Sequence, residues 1–282
     1  MWKAGRMSFS LETTVPLHRT VHIPLLGLGV FKVKDGETVE NAITTALAFG
    51  YRHIDTATIY RNEAGVGRAI AASGINRSDL FVTTKLWNND QGYESALAAI
   101  DGSLNKLGLD YVDLYLVHWP KPEHIEGTWR AMEEIQQSGK ARAIGVSNFL
   151  PHHLDQLAKT AAVMPSINQI EFHPHLQSPD LIDYCENHDI VIEAWSPLKH
   201  GEIINDPNLQ AIAGTHGATV PQVVLRWMLQ RGIVAIPKSV TPSRIAENAD
   251  LYGFELSPNE IASINTMDRG DRVGPDPDNF DF

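Results

Sequence analysis

The sequence is poor in cysteine, in long apolar runs and in positive charge. Its one cysteine, Cys185, excludes an intrachain disulfide and favours a reducing compartment, the cytoplasm. No apolar run approaches the roughly 20 residues of a membrane span, and Met1–Met7 lack the apolar stretch and cleavage site of a signal peptide. With 23 Lys and Arg against 34 Asp and Glu, the net charge of −11 argues against nucleic acid and anionic membranes as partners.

A dinucleotide-binding fingerprint is also lacking. No Gly-x-Gly-x-x-Gly follows an early strand, so a Rossmann nucleotide site is not indicated, and an open doubly wound sheet is the weaker alternative. The pair Gly65-Val66-Gly67 lies within a helical stretch without a third glycine at the required place, and it is interpreted as a site of helix packing or as a helix start.

The chain instead alternates strand-like and helix-like segments, which is typical of a parallel sheet. Helical patterns cover residues 36–49, 91–107, 125–137, 151–161, 179–187, 221–230 and 242–250. Eight apolar runs predict strands at residues 25–30, 51–55, 80–85, 112–117, 143–146, 166–170, 190–194 and 233–236. Two earlier segments, 11–15 and 20–23, predict a hairpin that could plug the barrel bottom. We therefore expect an α/β fold, a (β/α)8 TIM barrel with an N-terminal β-hairpin, in one domain over residues 1–282.

Polar residues stand where several predicted strands end. In such barrels the chemistry lies at the carboxyl ends of the strands. Asp55, Lys85 and His118 end three successive strands, and Tyr60 lies on the loop after Asp55. A tyrosine titrates near 10 when isolated, and we expect a neighbouring ammonium held by a carboxylate to lower that pKa. The set predicts a general acid for a developing alkoxide, with His118 orienting the carbonyl.

Two further sets lie at or beyond strand ends. After the last strand, Thr241 is a candidate helix N-cap before Pro242, and with Lys238 and Arg244 it predicts a phosphate site. The other set is aromatic and amide, and comprises Phe31, Trp87, Trp119, Asn148, Gln169 and Trp195. Of these, Trp195 could stack a flat ring, and Asn148 and Gln169 could hold a carboxamide, whereas rim packing is the alternative for Trp87 and Trp119. A metal-hydrolase barrel is an alternative, with ligands from His118, His173, His175 and Asp55, although their spacing specifies no geometry.

Taken together, these motifs resemble the aldo-keto reductase superfamily from about residue 21 to 269. The similar segments are 27–29, 50–57 with Tyr60, 85–87, 113–120, 145–149, 168–171 and 236–239. The resemblance implies a monomeric barrel that uses NADPH without a Rossmann domain, with Asp55, Tyr60, Lys85 and His118 as its catalytic tetrad. It implies nicotinamide contacts from Ser147, Asn148, Gln169 and Trp195. It further implies adenosine phosphate contacts from Lys238, Ser239, Val240, Thr241, Arg244, Glu247 and Asn248, with Ser196 and Leu198 near the pyrophosphate.

The subgroup that the chain resembles is that of the bacterial 2,5-diketo-D-gluconic acid reductases. Phe31 stands where many members have Trp, and Trp195 where many animal members have Tyr. The loop after Trp119 and the acidic tail at residues 274–278 are short, which predicts an open mouth walled by Phe31, Trp87, Trp119 and His118. We expect NADPH-dependent reduction of aldehydes and ketones, keto sugars included, and no bound metal. A nucleotide-binding regulatory subunit with slow turnover is the second possibility.

Overall fold

A computed structural model describes residues 9–17 and 21–280 of the chain. The segment Met1–Met7 and Thr20, on which part of the sequence interpretation depends, lie outside these residues. Within the described ranges, no helix combines the length and apolar character needed to cross a membrane.

The N-terminal hairpin is present as predicted. Strand β1 (Thr14–Pro16) pairs antiparallel with β2 (His22–Pro24), with Val15 opposite Ile23. Both of these side chains are buried. Because β2 leads within a few residues into the first barrel strand, the hairpin lies at the amino ends of the barrel strands, opposite the end expected to carry the chemistry.

Eight parallel strands form the barrel, which confirms the predicted fold. Neighbours along the sheet are also neighbours in sequence, and bridges from Leu26 to Ala235 and from Gly29 to Lys238 close the last strand onto the first. The strands are β3 (Gly27–Gly29), β4 (His53–Asp55), β5 (Phe81–Leu86), β6 (Val112–Val117), β7 (Ala141–Ser147), β8 (Ile167–Glu171), β9 (Val191–Trp195) and β10 (Val234–Ala235).

Helices surround this barrel. They are α1 (Glu37–Ala48), α2 (Glu63–Ala72), α3 (Tyr93–Leu107), α4 (Ile125–Gln137), α5 (Pro151–Ala158), α6 (Pro179–Asn187), α7 (Pro207–His216), α8 (Val220–Gln230), α9 (Pro242–Ala249) and α10 (Pro258–Asn265). The helical patterns of the sequence predicted seven of these helices, and the helical stretch around residues 65–67 predicted α2. The helices α7 and α10 were not predicted. Each of these two helices begins with a Pro, and Asp206 and Ser257 are their N-cap residues. These start signals could have located both helices.

Glycines let α2 pack closely on its neighbours, as the sequence predicted. A Cβ added to Gly67 would clash with the carbonyl oxygen of Leu107, at the end of α3. One added to Gly65 would clash with Val39 of α1. Any larger side chain at these positions would therefore force α2 away from α1 and α3.

A buried carboxylate fixes the register of three strands. Asp113 on β6 accepts a hydrogen bond from the backbone nitrogen of Val82 at 2.9 Å and pairs with Arg77 at 2.7 Å and Arg142 at 2.8 Å. The last contact explains why β7 begins at Ala141, two residues before the predicted start: Arg142 faces outward to reach Asp113. These contacts hold the strands whose far ends carry Lys85 and His118.

Candidate active site

The structure brings the four predicted catalytic residues together at the carboxyl ends of the strands. Asp55 ends β4, Lys85 lies in β5, His118 follows β6, and a 3₁₀ turn at Thr58–Tyr60 presents Tyr60. The Lys85 Nζ donates to Asp55 Oδ1 at 2.6 Å, to Asp55 Oδ2 at 2.8 Å and to the Thr56 carbonyl at 2.9 Å. It lies 5.1 Å from the centre of the Tyr60 ring, so a buried ion pair sits directly beside the phenol.

Electrostatics make Tyr60 a protonated phenol at neutral pH. Burial raises the pKa of Tyr60 to about 12, although the Lys85 ammonium opposes this shift. The net shift is therefore upward, not downward as predicted from the ammonium alone, because desolvation of the ring outweighs the nearby charge. Burial alone would lower the pKa of Lys85, but the Asp55 carboxylate overcomes this and the pKa is raised. Lys85 therefore remains a cation beside a phenol that holds its proton.

His118 is a neutral imidazole at the edge of this pair. Burial, followed by the nearby Lys85 charge, lowers the pKa of His118 well below its usual value. Its ring lies between those of Tyr60 and Trp87, at centroid distances of 5.7 Å and 5.3 Å. A neutral imidazole carries a single N–H donor, so His118 can donate a hydrogen bond to a carbonyl oxygen without adding charge.

Asn148 links three strand ends. It follows β7 with φ of +64°, a left-handed conformation that Asn tolerates better than most residues. Its Nδ2 donates to the His118 carbonyl and to Ser147 Oγ, both at 3.0 Å. Its Oδ1 accepts from Trp195 Nε1 at 2.9 Å. The side chain therefore holds Trp195 in a fixed orientation relative to the catalytic strand ends.

A polar network extends from the ion pair down into the barrel interior. Gln169 Nε2 donates to Asp55 Oδ2 and to Glu193 Oε2, both at 2.8 Å. Glu193 lies on β9 and is fully buried, as is His53 on β4. Sequence reasoning missed both residues. For Glu193 a signal existed, since a charged residue within an apolar strand run, two positions before Trp195, must point to the same face as Trp195.

Exposed cations lie near the loop after β10, as predicted. Lys238 and Arg244 are exposed, and neither pairs with a carboxylate in the described part of the chain. Thr241 is the N-cap residue of α9 with Pro242 in its first turn, but the Thr241 hydroxyl makes no capping hydrogen bond. Instead the Thr241 backbone N–H donates to Ser239 Oγ at 3.1 Å.

The other residues of the predicted phosphate set differ in their availability. Val240 is 42% exposed and Asn248 is buried. Glu247 accepts a hydrogen bond from Thr219 Oγ1 at 2.6 Å, which ties α9 to the start of α8. On the loop after β9, Ser196 Oγ contacts His200 Nε2 at 3.2 Å, and Leu198 is half-buried.

The C-terminal tail crosses the mouth of the barrel. Glu171, at the end of β8, accepts the backbone N–H groups of Val273 at 2.7 Å and Gly274 at 3.0 Å. Hydrogen bonds from these amides and from His173 outweigh the opposing effect of burial, so the pKa of Glu171 is lowered. Upstream, Lys199 pairs with Asp271 at 2.5 Å. The tail is thus anchored at two successive strand ends.

The predicted walls of the mouth are present, but one of them is covered. Phe31 is 48% exposed and lies 5.0 Å from the Tyr60 ring, and Trp87 contacts His118. Trp119 is only 7% exposed because Phe280 of the tail packs on it at a centroid distance of 4.2 Å. The mouth is therefore narrower on this side than the short loop alone suggested.

The alternative metal ligands do not gather. His173 contacts Glu171 at 3.1 Å and His175 contacts Asp206 at 3.3 Å, apart from Asp55 and His118. The group of ligand types that does come together in the described ranges is a different one, formed by His152, His153 and Asp278. A hydrolase centre built from the predicted set therefore has no geometric support.

Comparison with known proteins identifies the family of this chain. The model of the aldo/keto reductase family matches residues 25–269. The chain belongs to this family. It is 51% identical over 276 residues to the glyoxal reductase of Bacillus subtilis, covering 98% of this chain and all of that protein. It is 46% identical over 272 residues to the methylglyoxal reductase DkgA of Escherichia coli, covering 95% of this chain and 98% of that protein.

A solved structure extends the similarity to the whole fold. The crystal structure of a Gox0644 point mutant in complex with NADPH matches with a TM-score of 0.89 and 41% identity, covering 96% of this chain and 99% of that one. This member of the aldo/keto reductase family is accordingly an oxidoreductase that reduces carbonyl compounds, which confirms the class predicted from its motifs.

Proposed function

We propose that this protein reduces small aldehydes and ketones to alcohols with NADPH, that Tyr60 donates the proton, and that its range extends from 2-oxoaldehydes to keto sugars. The observation that carries the proposal is the Lys85–Asp55 ion pair, buried directly beside Tyr60 at the barrel mouth. The names of the relatives, a glyoxal and a methylglyoxal reductase, support dicarbonyl compounds as one substrate class.

The chemistry divides between the cofactor and the chain. When bound, NADPH would supply the hydride for the carbonyl carbon. The Tyr60 hydroxyl gives its proton to the carbonyl oxygen, and the Lys85 ammonium stabilises the phenolate that forms. Asp55 holds Lys85 in place and charged. The neutral His118 donates a hydrogen bond that orients the carbonyl oxygen toward Tyr60.

Several features of the site fit NADP(H). Both N–H groups of the Gln169 amide are used by Asp55 and Glu193, so its oxygen is left to accept from a carboxamide such as that of nicotinamide. Trp195, held by Asn148, offers a flat ring for stacking. The exposed Lys238 and Arg244 offer charge for the 2′-phosphate, with Ser239 and the start of α9 beside them.

Replacement of Tyr60 by Phe tests the proton donor. The variant keeps the ring and loses the hydroxyl, and general acid catalysis is worth roughly 10²–10⁴-fold. We expect the kcat for methylglyoxal reduction to fall by at least that factor, while NADPH binding, followed by quenching of protein fluorescence, remains. Activity within a few-fold of the parent would contradict the assignment of Tyr60.

Substrate range needs a separate experiment. A panel of simple aldehydes, 2-oxoaldehydes, diketones and keto sugars, monitored by NADPH absorbance, gives kcat/KM for each class. Turnover with at least one class separates an enzyme from a nucleotide-binding regulatory barrel. If keto sugars alone fail to react, the carbonyl reductase proposal stands with a narrower range.

We further propose a single-domain monomer in the cytoplasm. The one cysteine, Cys185, is buried, which is consistent with a reducing compartment. Light scattering after size-exclusion chromatography measures the mass against the 31.2 kDa of one chain. One cooperative urea transition, coincident by fluorescence and circular dichroism, is the result expected of one domain.

A further inference from the structure

Beneath the catalytic ion pair lies a second buried carboxyl group that the proposed mechanism does not use. Glu193 on β9 lies next to Gln169 on β8 in the sheet register. Because the Gln169 nitrogen donates to both Glu193 and Asp55, a single amide bridges two carboxyl groups across the barrel interior. Because both hydrogen bonds come from the Gln169 nitrogen, the orientation of the amide is fixed, with its nitrogen toward the two carboxyl groups.

The charges around Glu193 can be counted group by group. His53 and Asp55 face it from β4, Lys85 from β5, and Tyr60 from the 3₁₀ turn. Burial, with a smaller contribution from Lys85, lowers the pKa of His53 to about 3, so His53 is neutral at pH 7. Lys85 is then the only cation among these groups, and two ionised carboxylates would leave a net negative charge with no solvent contact. Such a charge is costly.

Contact geometry decides which carboxyl group carries the proton. Both oxygens of Asp55 contact the Lys85 ammonium. Glu193 Oε1, by contrast, has no hydrogen-bond partner among the described residues, and it lies 3.7 Å from His53 Nε2. The His53 nitrogen already contacts Thr83 Oγ1 at 3.1 Å. An ionised Oε1 would therefore be a buried charge without a hydrogen-bond donor, whereas a protonated carboxyl group is neutral.

We propose that Glu193 is a positioning residue that holds the Gln169 amide beside Asp55, that it is protonated in the active enzyme, and that its ionisation slows carbonyl reduction by adding negative charge beside Lys85 and Tyr60. The inference rests on the proposed function, since it acts through the proton given by Tyr60. When Glu193 ionises, the cluster gains a negative charge, which opposes formation of the Tyr60 phenolate. The Gln169 oxygen keeps its orientation in both states, so NADPH binding should change less than turnover.

The titration of Glu193 falls near neutral pH. Burial, followed by the nearby Asp55 charge, raises its pKa to about 8. The pKa of Tyr60 is raised to about 12 and that of His118 lowered well below its usual value. Burial also raises the pKa of Asp55, against the opposing effect of Lys85. Loss of activity near pH 8 would therefore report a carboxyl group of this cluster and not the proton donor itself, and a variant of Glu193 distinguishes the two carboxyl groups.

The pH profile of kcat at saturating NADPH tests this directly. In the parent we expect kcat to fall above about pH 8, approaching ten-fold per pH unit as one group ionises. Glu193→Gln keeps the shape and an oxygen for the Gln169 N–H but cannot ionise, so its profile should stay flat through this range. Asp101→Asn, which removes an exposed carboxylate paired with Lys140 on the outer surface, is the matched control and should keep the parent's decline.

Infrared difference spectroscopy provides a readout that does not depend on turnover or on the variant folding. The C=O band of a protonated carboxylic acid should disappear between about pH 7 and pH 9 in the parent, and it should shift when glutamate alone is labelled with ¹³C, which separates Glu193 from Asp55. A parent without such a band, or a folded Glu193→Gln variant that keeps the decline in kcat, overturns the inference. Full activity of Tyr60→Phe would instead overturn the proposed function, so the two failures are distinguishable.

Discussion

Replacing Lys85 by Met isolates the energetic role of the buried ion pair. Lys85 is fully buried and Asp55 is 2% exposed, so removal of the cation leaves a carboxylate in the barrel interior without its counter-charge. Breaking a buried pair by removing one partner costs about 3–5 kcal/mol, compared with about 0–1 kcal/mol for an exposed pair. We expect the free energy of unfolding at pH 8 to fall by an amount in the first range.

The loss should depend on pH with a definite sign. Burial already raises the pKa of Asp55, against the opposing effect of Lys85, and without Lys85 that pKa rises further. A carboxyl group whose folded pKa exceeds its unfolded value binds more protons in the folded state. Stability of the variant, relative to the parent, therefore declines by about 1.4 kcal/mol per pH unit between the pKa of Asp55 in the folded parent and its higher value in the folded variant.

Urea unfolding at several pH values, for the parent, Lys85→Met, Asp55→Asn and the double variant, completes the test. In the double variant neither charge of this pair is left buried, and loss of both partners can leave the free energy of unfolding nearly unchanged. We therefore expect the double variant to recover most of the stability lost by Lys85→Met but none of the activity. A double variant as unstable as Lys85→Met would refute the reasoning, because the cost would then come from packing of the Lys85 side chain and not from the stranded Asp55 charge.

Two further outcomes concern the cofactor and the tail. Arg244→Ala removes a charged hydrogen-bond donor worth about 1.5–3 kcal/mol. NADPH affinity measured by fluorescence should therefore weaken roughly ten-fold or more, while NADH affinity stays constant. Equal losses for the two nucleotides would mean that Arg244 acts on the structure of α9. Glu171→Gln leaves one carbonyl oxygen for the two tail amides, so limited proteolysis should cut the tail several-fold faster at pH 7. Because the pKa of Glu171 is lowered, the parent should lose this protection only as the pH falls below about 4. If the parent is cut as fast as Glu171→Gln at pH 7, Glu171 does not anchor the tail.

Much of this architecture could be predicted because it is encoded locally. Apolar runs that end at Asp55, Lys85 and His118 indicate both the strands and the edge where their side chains meet. Helix starts are local too, and α7 and α10 were missed only because their capping signals were not used. Strand bounds are less local, since β7 begins early to let Arg142 reach Asp113, a contact between segments that are distant in sequence.

What the sequence could not supply is the balance of effects at the site. A tyrosine at position 60 and a lysine at position 85 indicate an acid beside a cation. The pKa of Tyr60, however, depends on how deeply its ring is buried, which only the folded barrel determines. The same holds for the tail: nothing local predicts that Glu171 captures the amides of Val273 and Gly274, about a hundred residues later. Both properties arise from tertiary contacts.

The raised pKa of Tyr60 is compatible with the acid role that we propose for it, because catalysis depends on the transition state. In the ground state the phenol keeps its proton, and the Lys85 ammonium is balanced by Asp55. As the proton moves to the carbonyl oxygen, negative charge develops on the Tyr60 oxygen beside a cation that is already in place and shielded from water. The stabilisation therefore grows during the reaction, which is the condition for an interaction to raise kcat and not merely to tighten binding. A second fixed negative charge at Glu193 would reduce that gain, which is why the proton on Glu193 matters to a reaction in which Glu193 takes no direct part.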